Sequence, residues 1–322
     1  MQSPNEKKSD KDSLISLVLP THNEELNIDT TIREIYHTLS DLNFKHEIII
    51  VDDGSQDTTF ELVSKLRKEF NSLKGIQLSR NFGKESALLA GLRAAGGDAV
   101  ITIDADLQHP PTIIPEMIAQ WKGGLKIVHA VKKQRKNDSL FTRWRAAIFS
   151  YILNRLGGIE VHNSSDFKLL DRIAVNVIVK ELCEHKRFYR GLADWVGFEQ
   201  GKIYFEPAVR HVGESKWSLK ALVGYAITGI VSFTSAPLRI VTVLGLLTLL
   251  FAFGVCAEAL WSWHKGTAVS GFVTLIITVL LVGSFIMISL GVLGEYIARI
   301  YDEVKGRPDY IIERTSGFDD KV

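Results

Sequence analysis

Ala99-Val-Ile-Thr-Ile-Asp-Ala-Asp-Leu-Gln-His-Pro-Pro111 is the stretch on which the fold of this chain turns. Its first five residues are apolar or β-branched and suit a short strand buried on both faces, as in a parallel sheet. The strand runs out into two carboxylates one residue apart, Asp104 and Asp106. Ligands of open α/β sheets bind at the carboxyl ends of strands, so the pair reads as half of a divalent-cation site. Hard oxygen donors suit Mg2+ or Mn2+, which complete their shells with substrate phosphates and water. A bare Asp-x-Asp is common, and its place at a strand end gives it weight.

Working outward, residues 14–19 and 47–51 read as buried parallel strands and 75–78 as a shorter one. Between them residues 24–42, 57–70 and 84–95 carry helical periodicity, with Asp57 or Thr58 as the cap of the second helix. Strand–helix alternation of this kind predicts an α/β, Rossmann-like fold with a mostly parallel sheet. No G-x-G-x-x-G follows the first strand. Pro20-Thr-His-Asn-Glu-Glu25 stands there, and Asp52-Asp-Gly-Ser-Gln-Asp57 ends the second strand. Carboxylates, hydroxyls and amides suit hydrogen bonding to a base and ribose better than a glycine cradle for a dinucleotide, which counts against a dehydrogenase.

The 322 residues balance 38 basic against 37 acidic side chains. A nucleic-acid partner calls for a basic surplus and is not expected. Cys183 and Cys256 lack metal-like spacing and read as isolated thiols. The balance conceals a split, because residues 240–257 and 266–294 contain no charge. The second run exceeds the ~20 residues that span a bilayer, and apolar flanks bring the first to that length. Lys216, Lys220 and Arg239 precede the spans, and Arg299, Lys305, Arg307 and Arg314 follow them. By the positive-inside rule the chain is integral to the plasma or inner membrane, with catalytic domain and tail cytoplasmic. Trp261 and Trp263 fit an interfacial belt at the hairpin tip.

The expected organisation is a disordered N-terminus (1–13), a catalytic domain (14–215), an interfacial amphipathic helix (216–237), a two-helix hairpin (238–296) and a cytoplasmic tail (297–322). Residues 140–156, with Trp144 among Arg143, Arg145 and Arg155, read as a second interfacial helix or an ordinary domain helix. Residues 216–237 are alternatively a third span, although an odd number would carry the cationic tail across the membrane. Gly271, Gly283, Ser284, Ser289, Gly291 and Gly294 permit close helix approach in lipid, which favours a homo-oligomer. The tail run Arg307-Pro-Asp-Tyr-Ile-Ile-Glu313 reads either as a strand able to pair with a neighbouring copy or as disorder.

Taken in order, Val18-Leu-Pro-Thr-His-Asn-Glu-Glu25, Val51-Asp-Asp-Gly-Ser55, Leu78-Ser-Arg-Asn-Phe-Gly-Lys84, Asp104-Ala-Asp-Leu-Gln-His-Pro-Pro111, Ser165-Asp-Phe-Lys-Leu-Leu-Asp171, Arg190-Gly-Leu-Ala-Asp-Trp-Val-Gly197 and Gly213-Glu-Ser-Lys-Trp217 form a pattern. It resembles the family 2 glycosyltransferases of GT-A fold, specifically the polyprenyl-phosphate glycosyltransferases. The resemblance runs from about residue 14 to the tail, and the two spans bring it nearer to the bactoprenol glucosyltransferases than to the dolichyl-phosphate mannose synthases.

The resemblance implies roles. Pro20, Glu24 and Asp53 would hold the uridine or other base, with Lys84 nearby. Asp104 would meet the ribose or metal-bound water, Asp106 would ligate the Mg2+ or Mn2+ that bridges the diphosphate, and Gln108 would help order that centre. A sugar nucleotide leaves as a diphosphate, whose growing charge a divalent ion neutralises. The acceptor would be a polyprenyl phosphate, already anionic, for which in-line placement matters more than a general base. Lys132, Arg135, Arg143, Arg145, Arg210 and Lys216 are the candidate cations, with Arg210 and Lys216 favoured. Asp166 would orient such a cation or accept a sugar hydroxyl. Asp194 lies near where soluble relatives place a catalytic base, but its Asp-Trp context departs from their Glu-Asp, and a structural salt bridge is the competing reading. His109 and His211 read as hydrogen-bonding helpers.

The implied function is inverting transfer of a hexose, glucose first, from a UDP-sugar to undecaprenyl or dolichyl phosphate at the cytoplasmic face. Mannose, N-acetylglucosamine and aminoarabinose are alternative cargoes. A processive synthase would need a Gln-x-x-Arg-Trp signature that Arg143-Trp144 lacks. A non-catalytic sugar-nucleotide sensor or a lipid-sugar translocator is the competing class.

Overall fold

The computed structural model describes residues 12–42, 44–106, 108–133, 164–182, 184–185, 187–206, 236–266 and 271–318. The proposed amphipathic segments 140–156 and 216–235, with Arg135, Arg143, Arg145, Arg210, His211 and Lys216, lie outside these residues, as does most of the N-terminal 1–13.

The strands are β1 (Leu14–Thr21), β2 (Lys45–Asp52), β3 (Leu73–Leu78), β4 (Ala99–Thr102), β5 (Ile127–Lys132), β6 (Ser164–Asp171), β7 (Gln200–Phe205) and β8 (Ile312–Ser316). They form one eight-stranded sheet ordered β7-β5-β6-β4-β1-β2-β3-β8. β3, β2, β1 and β4 are mutually parallel, β6 runs antiparallel to both β4 and β5, and β7 is parallel to β5. The expected fold is therefore present, with an antiparallel member, β6, where the sequence carried no strand signal strong enough to place it.

Alternation along the strands explains the layers. Ile15, Leu17 and Leu19 of β1 face one side with Ile48 and Ile50 of β2, and there they meet Ile28, Ile32 and Ile35, Val63 and Met117. Those partners come from α1 (Ile28–Ser40), α2 (Thr59–Leu66) and α4 (Ile114–Lys122). Val18, Ile49, Val51 and Val100 face the other side, against Leu88, Ala90 and Leu92 of α3 (Lys84–Ala94) and Tyr189 and Ala193 of α6 (Tyr189–Trp195). The short α5 (Arg172–Asn176) and a π-turn over Val177–Glu181 complete that layer.

The start of one helix differs from the sequence reading for an identifiable reason, and the start of the next agrees with it. α1 begins at Ile28 instead of residue 24, because Asn23 is in the left-handed region (φ 53) and the Glu24 carbonyl closes a turn onto the N–H groups of Asn27 and Ile28. At α2, Thr58 occupies the N-cap as expected, and Asp57 supplies the acceptor, taking the Thr59 N–H at 3.0 Å.

The tail corrects an expectation. Disorder does not hold for Ile312–Ser316: β8 pairs antiparallel with this chain's own β3 and forms the last strand of the sheet. Arg314, counted above among the membrane-flanking cations, donates instead to Gln77 at 2.6 Å and lies near Glu61. Asp309 bridges Arg93 and His185.

The chain divides into two compact units, one holding the sheet together with residues from Pro308 onward, the other spanning Ile227–Arg307. In the second unit α7 (Ala236–His264) and α8 (Phe272–Lys305) are long and apolar enough to cross a membrane. α8 continues past the expected boundary at 296 and ends at Gly306, whose left-handed φ of 59° supplies the usual helix stop. The alternative of a third span over residues 216–237 falls almost wholly outside the described residues, which resume at 236.

Candidate active site

The Asp104–Asp106 loop is fixed at its middle. Ala105 is buried, and its carbonyl accepts the Thr31 hydroxyl of α1 at 2.9 Å. Just before it, the Ile103 N–H donates to the Val18 carbonyl of β1. The flanking carboxylates are left half-buried at the carboxyl edge of the sheet. Asp106 accepts the Gln108 N–H at 3.1 Å.

Asp104 meets Lys84, whose ammonium lies 2.5 Å from Asp104 and 2.5 Å from Asp166. Asp166 enters from β6 and is gripped by Arg190 of α6, through Nε at 2.7 Å and Nη2 at 3.0 Å. Burial alone would push the Asp166 carboxyl up, but Lys84 and Arg190 reverse it and hold the group well below the usual carboxylate range. Burial likewise opposes charge on Lys84, and Asp104 and Asp166 outweigh it, so the ammonium is held more firmly protonated than an ordinary lysine. Lys132, at the end of β5, sits in the field of Asp104 and Asp106, with burial as the main influence lowering its pKa. The site thus brings Asp104, Asp106, Asp166, Lys84 and Lys132 together, with Arg190, which the sequence reading quoted only within a motif.

Lys84 owes its placement to Asp53. That carboxylate, 3% exposed, accepts the N–H groups of Phe82 at 2.7 Å and Gly83 at 2.9 Å, shaping the turn that opens α3. Gly54 follows with φ 62°, and a Cβ there would fall on the Arg80 backbone, so the Asp-Gly-Ser turn admits no side chain. Pro20 lies near the end of β1, and Glu24 holds Asn27 at 2.8 Å.

His109 is 2% exposed, edge-on to Phe167 and Phe205, with Nδ1 3.8 Å from Asp104. Burial lowers its pKa to about 4, so it is neutral at physiological pH. Among the described residues no group of three or more His, Cys, Asp or Glu side chains is arranged to hold a metal. Two carboxylates on a fixed loop suit an ion that takes its remaining ligands from a substrate diphosphate and water, as Mg2+ does. They do not suit one held by protein alone.

Asp194 belongs to a second cluster. His129 Nε2 lies 3.0 Å from the side-chain amide oxygen Oε1 of Gln200 and 3.3 Å from Asp194. Both neighbours are acceptors, so Nε2 carries the proton; burial and Lys168 push the ring pKa down to about 3 and keep it neutral. Lys168 is fully buried, its pKa lowered to about 8 by burial against the support of Asp194 and Asp166. Its ammonium donates to the Arg190 carbonyl at 3.3 Å.

Glu85, beside Lys84, was not singled out by sequence because a lone glutamate in a first helical turn is unremarkable. It accepts the Tyr189 N–H at 3.0 Å, and burial with the Asp166 charge pushes its pKa up to about 7. The folded state therefore binds a proton that the unfolded state has released between about pH 4.5 and 7, and stability falls as pH rises through that window. Glu85→Gln keeps the acceptor and removes the charge. It is expected to raise stability by about 1–2 kcal/mol at pH 8 and to change it little at pH 4.5. Thermal unfolding across that range checks it; a variant less stable at pH 8 contradicts the charge argument.

The model of glycosyl transferase family 2 matches residues 16–181. A prophage bactoprenol glucosyl transferase homolog of Escherichia coli strain K12 is 38% identical over 305 residues, covering 93% of this chain and 98% of that protein. The chain belongs to glycosyl transferase family 2. A bactoprenol glucosyl transferase of Shigella phage SfV is 37% identical over 301 residues, with 93% and 98% covered. The crystal structure of glucosyl-3-phosphoglycerate synthase from Mycobacterium tuberculosis resembles this chain at a TM-score of 0.46 and 20% identity, over 69% of this chain and 80% of that one. For a glycosyl transferase of this family the GT-A fold follows, and Asp53, Lys84, Asp104 and Asp166 fall within the matched residues. Arg190, Lys168's counter-ion Asp194 and strand β8 differ in this respect: all lie beyond residue 181.

Proposed function

We propose that this glycosyl transferase moves a hexose, glucose first among the candidates, from a UDP-sugar to a polyprenyl phosphate with inversion. The observation that carries the reading is the presence, in one chain, of the Asp104–Asp106 loop and two apolar helices, aligned almost end to end with bactoprenol glucosyl transferases. A bactoprenyl phosphate keeps its tail in the bilayer and offers an anionic oxygen at the surface. Arg299 and Lys305 in the last turns of α8, Arg307 just beyond it and Arg239 in the first turn of α7 favour a cytoplasmic catalytic unit.

The acceptor oxygen attacks the anomeric carbon, the bond to the nucleoside diphosphate breaks, and the diphosphate leaves with the electron pair. No proton has to be removed from an acceptor that is already ionised. Asp106 and Asp104 would hold the divalent ion, Mg2+ or Mn2+, which when bound supplies positive charge against the departing diphosphate. Lys132 and Lys84 add fixed cations on the same edge. Asp166 positions Lys84 and Arg190, and Asp194 serves as counter-charge to buried Lys168 rather than as a base. Pro20, Glu24, Asp53 and Gln108 shape the donor end; Arg135, Arg143, Arg145, Arg210 and Lys216 supply candidate cations for the lipid phosphate.

The test is a panel of UDP- and GDP-sugars with polyprenyl phosphate and the purified full chain in detergent. Lipid-dependent UDP release with UDP-glucose, and a glycolipid product of β configuration, is the expected result. Tight UDP-sugar binding without turnover would favour the sensor, and preference for another sugar would change the cargo alone.

A further inference from the structure

Strand β8 lies outside the matched family region, yet its bonds lead into the edge where β1, β2 and β3 end. The Ile311 carbonyl accepts the Ser79 N–H at 2.9 Å, and Ile312 pairs with Leu78 beside a register shift at Gln77/Leu78. This secures the start of the loop whose other end is held by Asp53 and which delivers Lys84. A side-chain route runs in parallel. Arg314 Nε donates to Gln77 Oε1 at 2.6 Å, and Gln77 Nε2 donates to Asp52 at 3.0 Å. Asp52 accepts from the Ser55 hydroxyl, and Ser55 Oγ accepts the Asn23 N–H at 2.8 Å. With both ends of its amide engaged, Gln77 is fixed in orientation, and through Asp52 it fixes the turn after β2.

The space between these loops is a cleft of about 370 Å³, lined among others by His22, Ser55, Gln77, Arg80 and Glu313. Glu313 comes from β8, so the cleft lacks part of a wall without the tail. We propose that β8 is a component of the donor site: Glu313 walls the space that receives the nucleoside base, and Arg314 is a positioning residue that sets the base-binding turn through Gln77 and Asp52. The inference rests on the nucleotide-sugar reading given above. It makes the segment following α8 part of substrate recognition as well as of the sheet.

The experiment compares the unaltered full chain with Arg314→Met, Arg314→Lys and Glu313→Gln in detergent. The probes are UDP and GDP with Mg2+, and inorganic pyrophosphate with Mg2+, which offers the diphosphate without a base. Loss of a charge-assisted hydrogen bond predicts about tenfold weaker UDP binding by Arg314→Met. Pyrophosphate affinity stays within about twofold, and Arg314→Lys recovers most of the loss. In turnover the donor KM rises, while kcat and the polyprenyl phosphate KM hold. Glu313→Gln alters UDP affinity and leaves pyrophosphate unchanged.

Unchanged UDP binding by both Arg314→Met and Glu313→Gln overturns the inference. So does an equal loss for UDP and pyrophosphate accompanied by a lowered melting temperature, which is the mark of a merely structural strand. An unaltered protein that binds pyrophosphate but neither nucleotide overturns the nucleotide-sugar reading itself and this inference with it.

Discussion

Asp106→Ala is expected to lower lipid glycosylation by about three orders of magnitude and to leave the sheet unit folded. The rate argument is electrostatic. A diphosphate leaving group gathers charge as its bond to the sugar breaks, and the ion that Asp106 helps to hold is the largest opposing charge available. The stability argument is local. The loop is fixed through Ala105 and Thr31, neither of which is altered, and the hydrogen bond from the Gln108 N–H that is given up lies where water can replace it. The melting temperature should stay within about 2 °C. Asp106→Asn preserves the shape and should lose nearly as much activity, because charge is what matters. Chelation with EDTA should reproduce the loss in the unaltered protein, and Mg2+ or Mn2+ should restore it. Either variant retaining more than about a tenth of the activity removes Asp106 from the metal site.

The sequence made one half of the site readable and hid the other for physical reasons. Asp104 and Asp106 are visible because they break an apolar run at a strand end, and Asp53 because a glycine turn follows it. Their geometry adds a distinction that spacing does not contain. Asp53 spends its carboxylate on the Phe82 and Gly83 N–H groups, so its contribution to the site passes through Lys84. Glu85, Lys168 and Arg190 carry no such local signal, since a lone charge in a helix or strand usually faces water. Only the antiparallel placement of β6 between β4 and β5 brings Asp166 and Lys168 against α3 and α6. The tail reads as either strand or disorder for a related reason. Pairing between residues 75–78 and 312–316 spans most of the chain and leaves no periodic trace in either segment.

Asp166→Asn should be the most destabilising single exchange within the site. Asp166 is 5% exposed and neutralises two cations, Lys84 and Arg190, through three contacts of 2.5–3.0 Å. Asparagine fills the space but withdraws a negative charge from both cations, leaving Lys84 to Asp104 alone, at a cost of about 2–4 kcal/mol, discounted because each cation retains some access to water. The pH dependence separates this from a packing defect. A carboxylate whose folded pKa is depressed contributes stability above its unfolded value near 4 and loses it as pH falls through the folded value. The unaltered protein should therefore be clearly the more stable at pH 7, and the difference should shrink as the medium is acidified below about pH 4. Arg190→Gln added to Asp166→Asn removes one of the two stranded cations, so the double variant should be less destabilised than the two single losses together. Thermal unfolding of the three variants at pH 7 and pH 4 measures every corner of that cycle. Strict additivity, or a stability difference independent of pH, would mean that Asp166 acts by shape and that its charge does not hold Lys84 and Arg190 in place.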